Sequence, residues 1–536
     1  MKHSLLRLSL LTLLLALKTA VFADVGDDFI HNGIRYIIFV NGDLDGDGIS
    51  ACVEPSYDIP YSGNVTIPER ITHNGKTYTV SMIDQSAFED CVNIQSISLP
   101  NSITEIRNDA FRGCSGIKNM VIPNSVLRLW DSVFEDATSL ISITIGNQVK
   151  DIGANTFKNC SSLKSITFPE NIERIDKSAL KGCTSLEEAT FKCNIKINDV
   201  LKGNTSIKKV VFSEGIKEIG NNAFEGCTSL ESITLPTTIE KIDGYAFSNT
   251  ALTFVSFPGG ANEIGMKAFS GCKKMESIDF GKGVKSLGSL SFEKCSSLKK
   301  VVISEGCEKL IGSVFNNCEN LSVLFIPKSV KYLTNDLFDG CNLDTLIIDI
   351  PTIEMWFQGL LNIKNIRFAE NVENIGYNSF WGCKNLKTCI IGDRVRVVGN
   401  NAFTHCEGLK EISFGKSVEE VGSSALWYSD FEIVTSLNPT PPKFPQNTTP
   451  FNDIVYETAT LYVPEESINL YKHAQGWSRF FNIKGTTGAI SCKLDRQQQS
   501  DSRIYNFKGE LINSSIGAPQ NKGIYIKNGK IIIIKK

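Results

Sequence analysis

Hydrophobic residues recur at a fixed interval along most of this chain. An aromatic residue or a leucine usually returns every 22 or 23 residues, within hexapeptides such as SAFEDC and DAFRGC. It falls at Phe88, Phe111, Phe134, Phe157, Leu180, Leu201, Phe224, Phe247, Phe269, Phe292, Phe315, Phe338, Phe357, Phe380, Phe403 and Leu426. The unit at Leu201 is degenerate, and Phe357 is out of step. A period of this length is typical of solenoids, in which each unit buries its apolar side against the next.

A single unit predicts its own local structure. In AFRGCSGIKNMVIPNSVLRL, residues 110–129, Met120 and Ile122 are two positions apart, as the inward side chains of a strand must be. Pro123 ends that strand because it has no N–H to donate to a ladder. Val126 and Leu129 form a second inward pair, and a turn or short helical segment leads to the next unit. The sequence therefore predicts a repeat solenoid of about 15 coils.

The repeated motif resembles the BspA-like leucine-rich repeats of secreted and surface proteins in Bacteroidetes. The resemblance is carried by units such as IGNNAFEGCTSLESITLPTTI, residues 219–239. TLYVPEESINLYKHAQGWSRFFNI, residues 460–483, is similar to the segment that closes such arrays. The resemblance implies a leucine-rich repeat solenoid with a parallel β-sheet on its concave face. It also implies a role in adhesion and in binding to host or matrix components.

The segments outside the repeats predict the domain plan. Lys2, His3 and Arg7 precede an apolar run that ends near small residues, which is the layout of a secretory signal peptide. We therefore expect an exported protein, either on the cell surface and associated with the outer membrane or secreted. The predicted boundaries are a signal peptide at 1–23, an N-terminal β cap at 24–80, the solenoid at 81–432, a C-terminal cap at 433–484, a flexible linker at 485–501 and a small β segment at 502–536. That last segment resembles C-terminal tails that sort or anchor exported proteins, and a plain β module is the alternative.

Composition and net charge exclude some classes of binding partner. The 536 residues carry a formal charge of −3, with 42% hydrophobic and 21% charged residues. A folded chain so close to neutral has no electrostatic footprint for nucleic acid. No second apolar run is long enough to cross a membrane in the mature chain. The chain also lacks the metalloprotease and phosphate-loop motifs, so we expect no enzymatic activity and no cofactor.

The acidic stretch NGDLDGDGISACVE, residues 41–54, has two interpretations. Asp43, Asp45, Asp47 and Glu54 match most of the spacing of an EF-hand calcium loop. The flanking segments look like strands, however, and repeated Asp-Gly pairs favour a hairpin turn. The prediction is a turn without a metal, with a weak calcium loop as the alternative.

The cysteines follow the repeat. Eleven of the 16 lie three residues after the repeated aromatic position, at Cys91, Cys114, Cys160, Cys183, Cys227, Cys272, Cys295, Cys318, Cys341, Cys383 and Cys406. Ala137 and Thr250 fill the same place in other units. Side chains stacked in this way point in parallel rather than at each other, so buried free thiols are expected instead of disulfides or zinc sites.

The middle outward position of the predicted strands changes character along the chain. In the early coils it is mostly Ser, Thr or Val, whereas in five consecutive later coils it carries larger side chains. Together with one flanking residue these form the candidate ligand-binding site: Val302, Val323, Phe325, Ile347, Arg367 and Ile390. Exposed apolar patches commonly mark interaction sites. The alternatives are ordinary β-branched residues in strands or a face covered by the cap.

The predicted function is that of a module that binds a protein ligand on host cells, in the matrix or on other bacteria. Phe325, Ile347, Arg367 and Ile390 are its expected anchors. One alternative is a glycan-binding accessory protein that uses exposed aromatics, for which Trp356, Trp381, Trp427 and Tyr428 are the candidates. Packing of those rings at a repeat defect is the competing explanation. A surface scaffold without a specific ligand is the second alternative.

Overall fold

The structure is a computed structural model. It describes residues 24–40, 49–56, 58–258 and 261–486, together with four strands near the C-terminus. The chain divides into two compact units, Met1–Thr238 and Ile239–Lys536. The predicted signal peptide, the acidic loop at 41–48 and most of the predicted linker lie outside the described residues.

Each coil is built as its hydrophobic pattern predicts. Met120 lies in a strand and Ile122 directly after it, and both are only 2% exposed, while Val126 and Leu129 are fully buried. A short second strand follows the first, and a segment of consecutive turns then closes the coil. Successive coils pair in parallel at both strands, so the ladder continues from one repeat to the next. Both units contain stretches of parallel β-solenoid.

In the first unit the long strands form parallel groups, and the N-terminal strands join the ladder of short strands. The long strands are Gly63–Thr66, Ile94–Ser98, Asn119–Val121, Ser142–Thr144, Ser165–Phe168, Glu188–Phe191 and Lys209–Phe212. The short ones are Glu105–Ile106, Arg128–Leu129, Asp151–Ile152, Arg174–Ile175 and Glu218–Ile219. The N-terminal ones are Asp28–His31, Ile34–Val40, Ile49–Val53, Arg70–His73 and Lys76–Ile83.

In the second unit, nine long strands form one sheet in which every pair is parallel. They are Lys300–Val302, Val323–Ile326, Thr345–Ile348, Asn365–Phe368, Thr388–Ile390, Glu411–Phe414, Ile433–Ser436, Thr460–Val463 and Asn482–Gly485. Phe254–Ser256 and Ser277–Asp279 form a separate pair. The short strands are Lys241–Ile242, Glu263–Ile264, Ser286–Leu287, Lys309–Leu310, Tyr332–Leu333, Thr352–Ile353, Asn374–Ile375, Val397–Val398 and Glu420–Val421.

Short helices occur in the last part of the second unit. They are the 3-10 turns Met355–Phe357, Glu465–Ser467 and Trp477–Arg479 and the α-helices Asp453–Thr458 and Ile468–His473. Trp477 is fully buried, and its indole N–H donates to the carbonyl of Pro442 at 2.7 Å. Four further strands, Ile504–Tyr505, Leu511–Ile512, Gly523–Lys527 and Lys530–Ile534, form an antiparallel sheet within the segment predicted as a C-terminal β segment.

Stacked aromatic rings fill the centre of both units. In the first unit, Phe88 and Phe111 lie 5.2 Å apart between ring centroids and are 4° from parallel. In the second, the Phe269 and Phe292 rings lie 5.2 Å apart and are 3° from parallel. Phe357, out of step in the sequence, still stacks on Phe380 at 5.5 Å, because the 3-10 turn that holds it returns the ring to the core. Within each unit, the rings at the repeated aromatic position therefore stack in the core, and we call the residues at this position the core column.

The repeated cysteines are hydrogen-bond donors. Cys160 Sγ lies 3.1 Å from the carbonyl oxygen of Phe134, the aromatic residue of the preceding coil. The same contact recurs at Cys114, Cys160, Cys183, Cys227, Cys272, Cys295, Cys318, Cys341, Cys383 and Cys406, over 3.0–3.3 Å. The prediction of buried cysteines is confirmed for every described one. The sequence did not reveal that the thiol donates a second hydrogen bond to a core carbonyl, such as that of Phe134, which also accepts the Ala137 N–H at 3.1 Å.

Candidate functional site on the long-strand face of the second unit

Strand register brings the predicted site residues together. Pairing in the second unit sets Val302 opposite Phe325, Phe325 opposite Ile347, Ile347 opposite Arg367, and Arg367 opposite Ile390. We call these five residues the central column. Their alignment survives the irregular repeat at Phe357, because the Thr345–Ile348 and Asn365–Phe368 strands pair without a shift. Adjacent strands are about 4.8 Å apart, so the five side chains form one continuous row.

Exposure differs within this row. Arg367 is exposed, while Val302, Ile347 and Ile390 are half-buried. Val323, which lies two residues before Phe325 on the same strand and therefore shares its face, is also half-buried. Partly exposed aliphatic groups thus surround one guanidinium.

Phe325 does not fit the expectation of an exposed anchor, because its side chain is only 3% exposed. The register places Val302 and Ile347 on its two sides. Apolar neighbours one strand spacing away cover much of a ring that lies between them. Phe325 therefore supports the surface from below instead of projecting from it.

Polar side chains border the central column. The flanking positions on the next three strands are Thr345, Asn365 and Thr388. Thr388 Oγ1 lies 3.4 Å from Asn365 Oδ1, and the Asn365 amide lies near the backbone oxygen of Asp344. An apolar centre with a hydrogen-bonded polar border is the usual anatomy of a protein-binding surface.

The equivalent face of the first unit is different. Its outward positions include Thr144, Thr167 and Ser98, which are exposed, and the apolar Val121, which is 63% exposed. Short polar side chains offer little surface that could be desolvated on binding. The change in side-chain size that the sequence showed is therefore also a change in surface character.

The acidic loop at 41–48 connects two strands. Ile34–Val40 and Ile49–Val53 are antiparallel neighbours, and Val40 pairs with Ile49 across the loop. These flanks match a hairpin and not the two helices of an EF-hand. Asp43, Asp45 and Asp47 lie outside the described residues, so the calcium alternative stays a prediction.

Glu54, the last residue of that alternative, lies beside Cys52 and Asp84, with possible ligand atoms within 4.8 Å of one another. Burial raises the pKa of Glu54 and that of the Cys52 thiol above their ordinary values. Arg107 Nη1 lies 2.9 Å from Asp84 Oδ1 and already pairs with that carboxylate. Metal ligands must be deprotonated, so the raised pKa values of Glu54 and Cys52 disfavour a metal site here.

The aromatic side chains proposed for glycan binding are largely at the surface. Trp381 is 42% exposed, Trp427 is 37% exposed and Tyr428 is 54% exposed. Trp356 is half-buried in the Met355–Phe357 turn. Trp381, Trp427 and Tyr428 therefore have exposed ring surface, and packing at a repeat defect stays the alternative explanation for their presence.

A family model decides the classification. The model for the BspA type leucine rich repeat region matches residues 81–202, 196–322, 240–355 and 353–440, and it finds six copies. The chain belongs to this BspA-type leucine-rich repeat family. The matched stretches cover the coils described above, including the central column. Leucine-rich repeat solenoids of this kind typically serve as binding scaffolds for proteins.

Solved structures of similar proteins include leucine-rich repeat proteins of several bacteria. A leucine-rich repeat protein from Bacteroides ovatus is 21% identical, with a TM-score of 0.40, and the match covers 86% of this chain and 100% of that one. A leucine rich cell surface protein from Faecalibacterium prausnitzii is 21% identical, with a TM-score of 0.32, and the match covers 76% of this chain and 96% of that one. The pneumococcal vaccine antigen PcpA is 17% identical, with a TM-score of 0.25, and the match covers 87% of this chain and 100% of that one.

No protein with a curated description matches this chain. Among the described residues, no helix is both long enough and apolar enough to cross a membrane.

Proposed function

We propose that this BspA-type chain is exported and acts, on the cell surface or after secretion, as a binding module for a protein on host cells, in the matrix or on other bacteria. The observation that carries the proposal is the central column, whose residues the register aligns on one face. The ligand would contact Val302, Val323, Ile347, Arg367 and Ile390, with Phe325 beneath them.

Binding would depend on a surface that is already formed. The nine-stranded parallel sheet fixes the backbone of each contact residue, so little conformational entropy is lost when a ligand binds. Arg367 offers planar donors in the middle of an aliphatic surface, and Arg is enriched among residues that dominate binding energy. No cofactor is required for contact of this type.

The test compares two double variants of the full chain on cultured epithelial cells and on extracellular-matrix preparations. Ile347→Glu with Ile390→Glu places two charges beside Arg367 without touching the buried Phe325. Thr144→Glu with Thr167→Glu adds the same charges at exposed outward positions of the first unit. We expect the first pair to weaken binding by roughly tenfold or more, because it replaces two aliphatic contacts with carboxylates that would have to be desolvated and that would compete for Arg367. The second pair should leave binding unchanged.

Melting temperatures that match those of the unaltered chain exclude misfolding in both variants. Equal binding by both variants would disprove the site but keep a binding role. Absence of binding by the unaltered chain would remove the proposed function on these surfaces.

A further inference from the structure

A second group of side chains, three of them exposed and His405 half-buried, lies on the turn side of the last coils. Trp381, His405, Trp427 and Tyr428 follow the repeated core positions at Phe380, Phe403 and Leu426. We call the four residues the aromatic ridge. Backbone hydrogen bonds hold them in successive coils: the Gly382 N–H donates to Thr404 at 2.8 Å, and the His405 N–H donates to Trp427 at 2.9 Å. The ridge is separate from the central column, which lies on the long strands.

The aromatic ridge carries unusual residue types at a backbone position that has positive φ in every coil. His405 and Tyr428 have φ values of 60° and 56°, in the left-handed region. The same position in the earlier coils also has positive φ, and it holds Asp90, Gly113, Asp136, Asn159, Gly182, Gly203, Gly226, Asn249, Gly271, Lys294, Asn317, Gly340, Gly359 and Gly382. Gly, Asn and Asp predominate there because they adopt this conformation at little cost.

Tyr428 therefore adopts a backbone conformation that tyrosine disfavours. A bulky residue with positive φ is strained, and such strain gathers at functional sites when the surrounding structure enforces it. The Tyr428 N–H donates to Asn452 Oδ1 at 2.8 Å, which helps to hold this backbone. A ring is maintained here where asparagine would be less strained.

The rings are arranged as a platform. His405 and Tyr428 stack at 4.3 Å between centroids and lie within 2° of parallel. Trp381 meets His405 at 78°, and Trp427 meets Tyr428 at 84°. Trp381 and Trp427 occupy the same position two coils apart. Their Cα atoms are therefore separated by about 10 Å, twice the strand spacing.

An ion pair of opposite charges borders the aromatic ridge. Lys384 and Glu407, each two residues beyond the ridge position of its coil, form an ion pair at 3.2 Å. The surface thus combines flat apolar rings with a polar, internally neutralised border. Pyranose rings present an apolar C–H face and polar edges, which match such a border, and about 10 Å is a span that a linear saccharide can bridge.

We propose that the aromatic ridge binds a linear, uncharged saccharide whose sugar rings stack on Trp381 and Trp427. The stacked pair of His405 and Tyr428 connects the two indoles, because His405 contacts Trp381 and Tyr428 contacts Trp427. This site adds a carbohydrate ligand to the proposed protein-binding function and does not depend on it.

The test titrates the full chain with cellohexaose, xylohexaose and mannohexaose, followed by calorimetry and tryptophan fluorescence. At least one hexasaccharide should bind and change the indole emission. The variant Trp427→Thr with Tyr428→Asn gives the ridge residues that other coils carry, as at Thr404 and Asn249. It should bind roughly tenfold or more weakly, since two aromatic contacts are lost.

Melting temperature separates binding from folding. The Tyr428→Asn change relieves a strained position, so the variant should melt no lower than the unaltered chain. Tyr332→Thr, which removes a ring that is 51% exposed on a short strand, should leave saccharide binding unchanged. The proposal is overturned if none of the three hexasaccharides binds, if the ridge variant binds as well as the unaltered chain, or if only proteins bind to the ridge.

Discussion

At the scale of single residues, Cys183 shows what the repeated cysteine does. Its thiol lies 3.1 Å from the carbonyl oxygen of Phe157 and is 2% exposed. Thr250 occupies the equivalent place in another coil, and its hydroxyl donates to the carbonyl of Phe247 at 2.9 Å. The position thus takes a small side chain, as Ala137 shows, and most cysteines there and Thr250 also donate a hydrogen bond to a core carbonyl.

The first prediction separates those two requirements at Cys183. Thr and Val have nearly the same shape, but only Thr carries a donor. We expect Cys183→Thr to be more stable than Cys183→Val by about 1 kcal/mol, because Val removes one of the two hydrogen bonds that the buried Phe157 carbonyl accepts, the other coming from the Cys160 N–H. Urea unfolding of the two variants measures the difference. Equal stabilities would show that size alone governs the position.

At the candidate site, the sequence predicted which residues share a face but not how deeply each side chain is buried. Alternation along the strands correctly predicted that Met120 and Ile122 point inward, and alignment of the repeats placed Phe325 beside Ile347. The burial of Phe325 was missed, because alternation gives the side of a strand but not the depth of a ring among its neighbours. The donor role of cysteine was missed because a sequence does not show which carbonyl oxygen lies within reach of a thiol.

At the scale of the structural element, the coil is stabilised by the core column. Phe292 stacks on Phe269 at 5.2 Å and on Phe315 at 5.8 Å. Leu180 and Leu426 hold the equivalent place elsewhere and are buried, so the column tolerates a branched aliphatic residue. The repeat spacing alone was enough to predict this element, since the period fixes which side chains share the core.

We therefore predict different costs for two substitutions of Phe292. Phe292→Ala should destabilise the second unit by about 3–5 kcal/mol, because it leaves a cavity between two rings. Phe292→Leu should cost roughly 1.5 kcal/mol or less, since it keeps most of the volume. Hydrogen exchange should show the loss of protection spreading from Phe292 to the neighbouring coils at Phe269 and Phe315. A loss as large for Leu as for Ala would indicate that ring stacking, and not volume, stabilises the column.

At the scale of the whole molecule, the buried thiols act together on stability. Burial raises the pKa of Cys183 and of Cys227 from 9.0 to about 12, and that of Cys272 to about 11. The folded state therefore favours the protonated thiol more strongly than the unfolded state does. This contribution to stability is complete below about pH 9 and is lost as the pH rises toward the folded-state values.

The corresponding prediction concerns alkaline unfolding. The free energy of unfolding should fall between about pH 9 and pH 12, because the unfolded chain releases thiol protons that the folded chain retains. The variant Cys183→Thr with Cys227→Thr should lose less stability over that interval. Urea titrations at several pH values provide the measurement. Parallel curves for the variant and the unaltered chain would assign the alkaline loss to lysines or tyrosines instead.

The uniform spacing of the coils also affects how the gene that encodes the repeats can gain or lose units. Because equivalent residues such as Phe134 and Phe157 occupy the same place in successive coils, recombination between neighbouring copies can remove or duplicate one unit and still leave matched junctions. The number of coils can then change by whole units during evolution, and the core packing between coils stays the same. Trp381, Trp427 and Tyr428 lie outside the consensus, so an exchange across their coils would erase them, and only selection on their function would retain them.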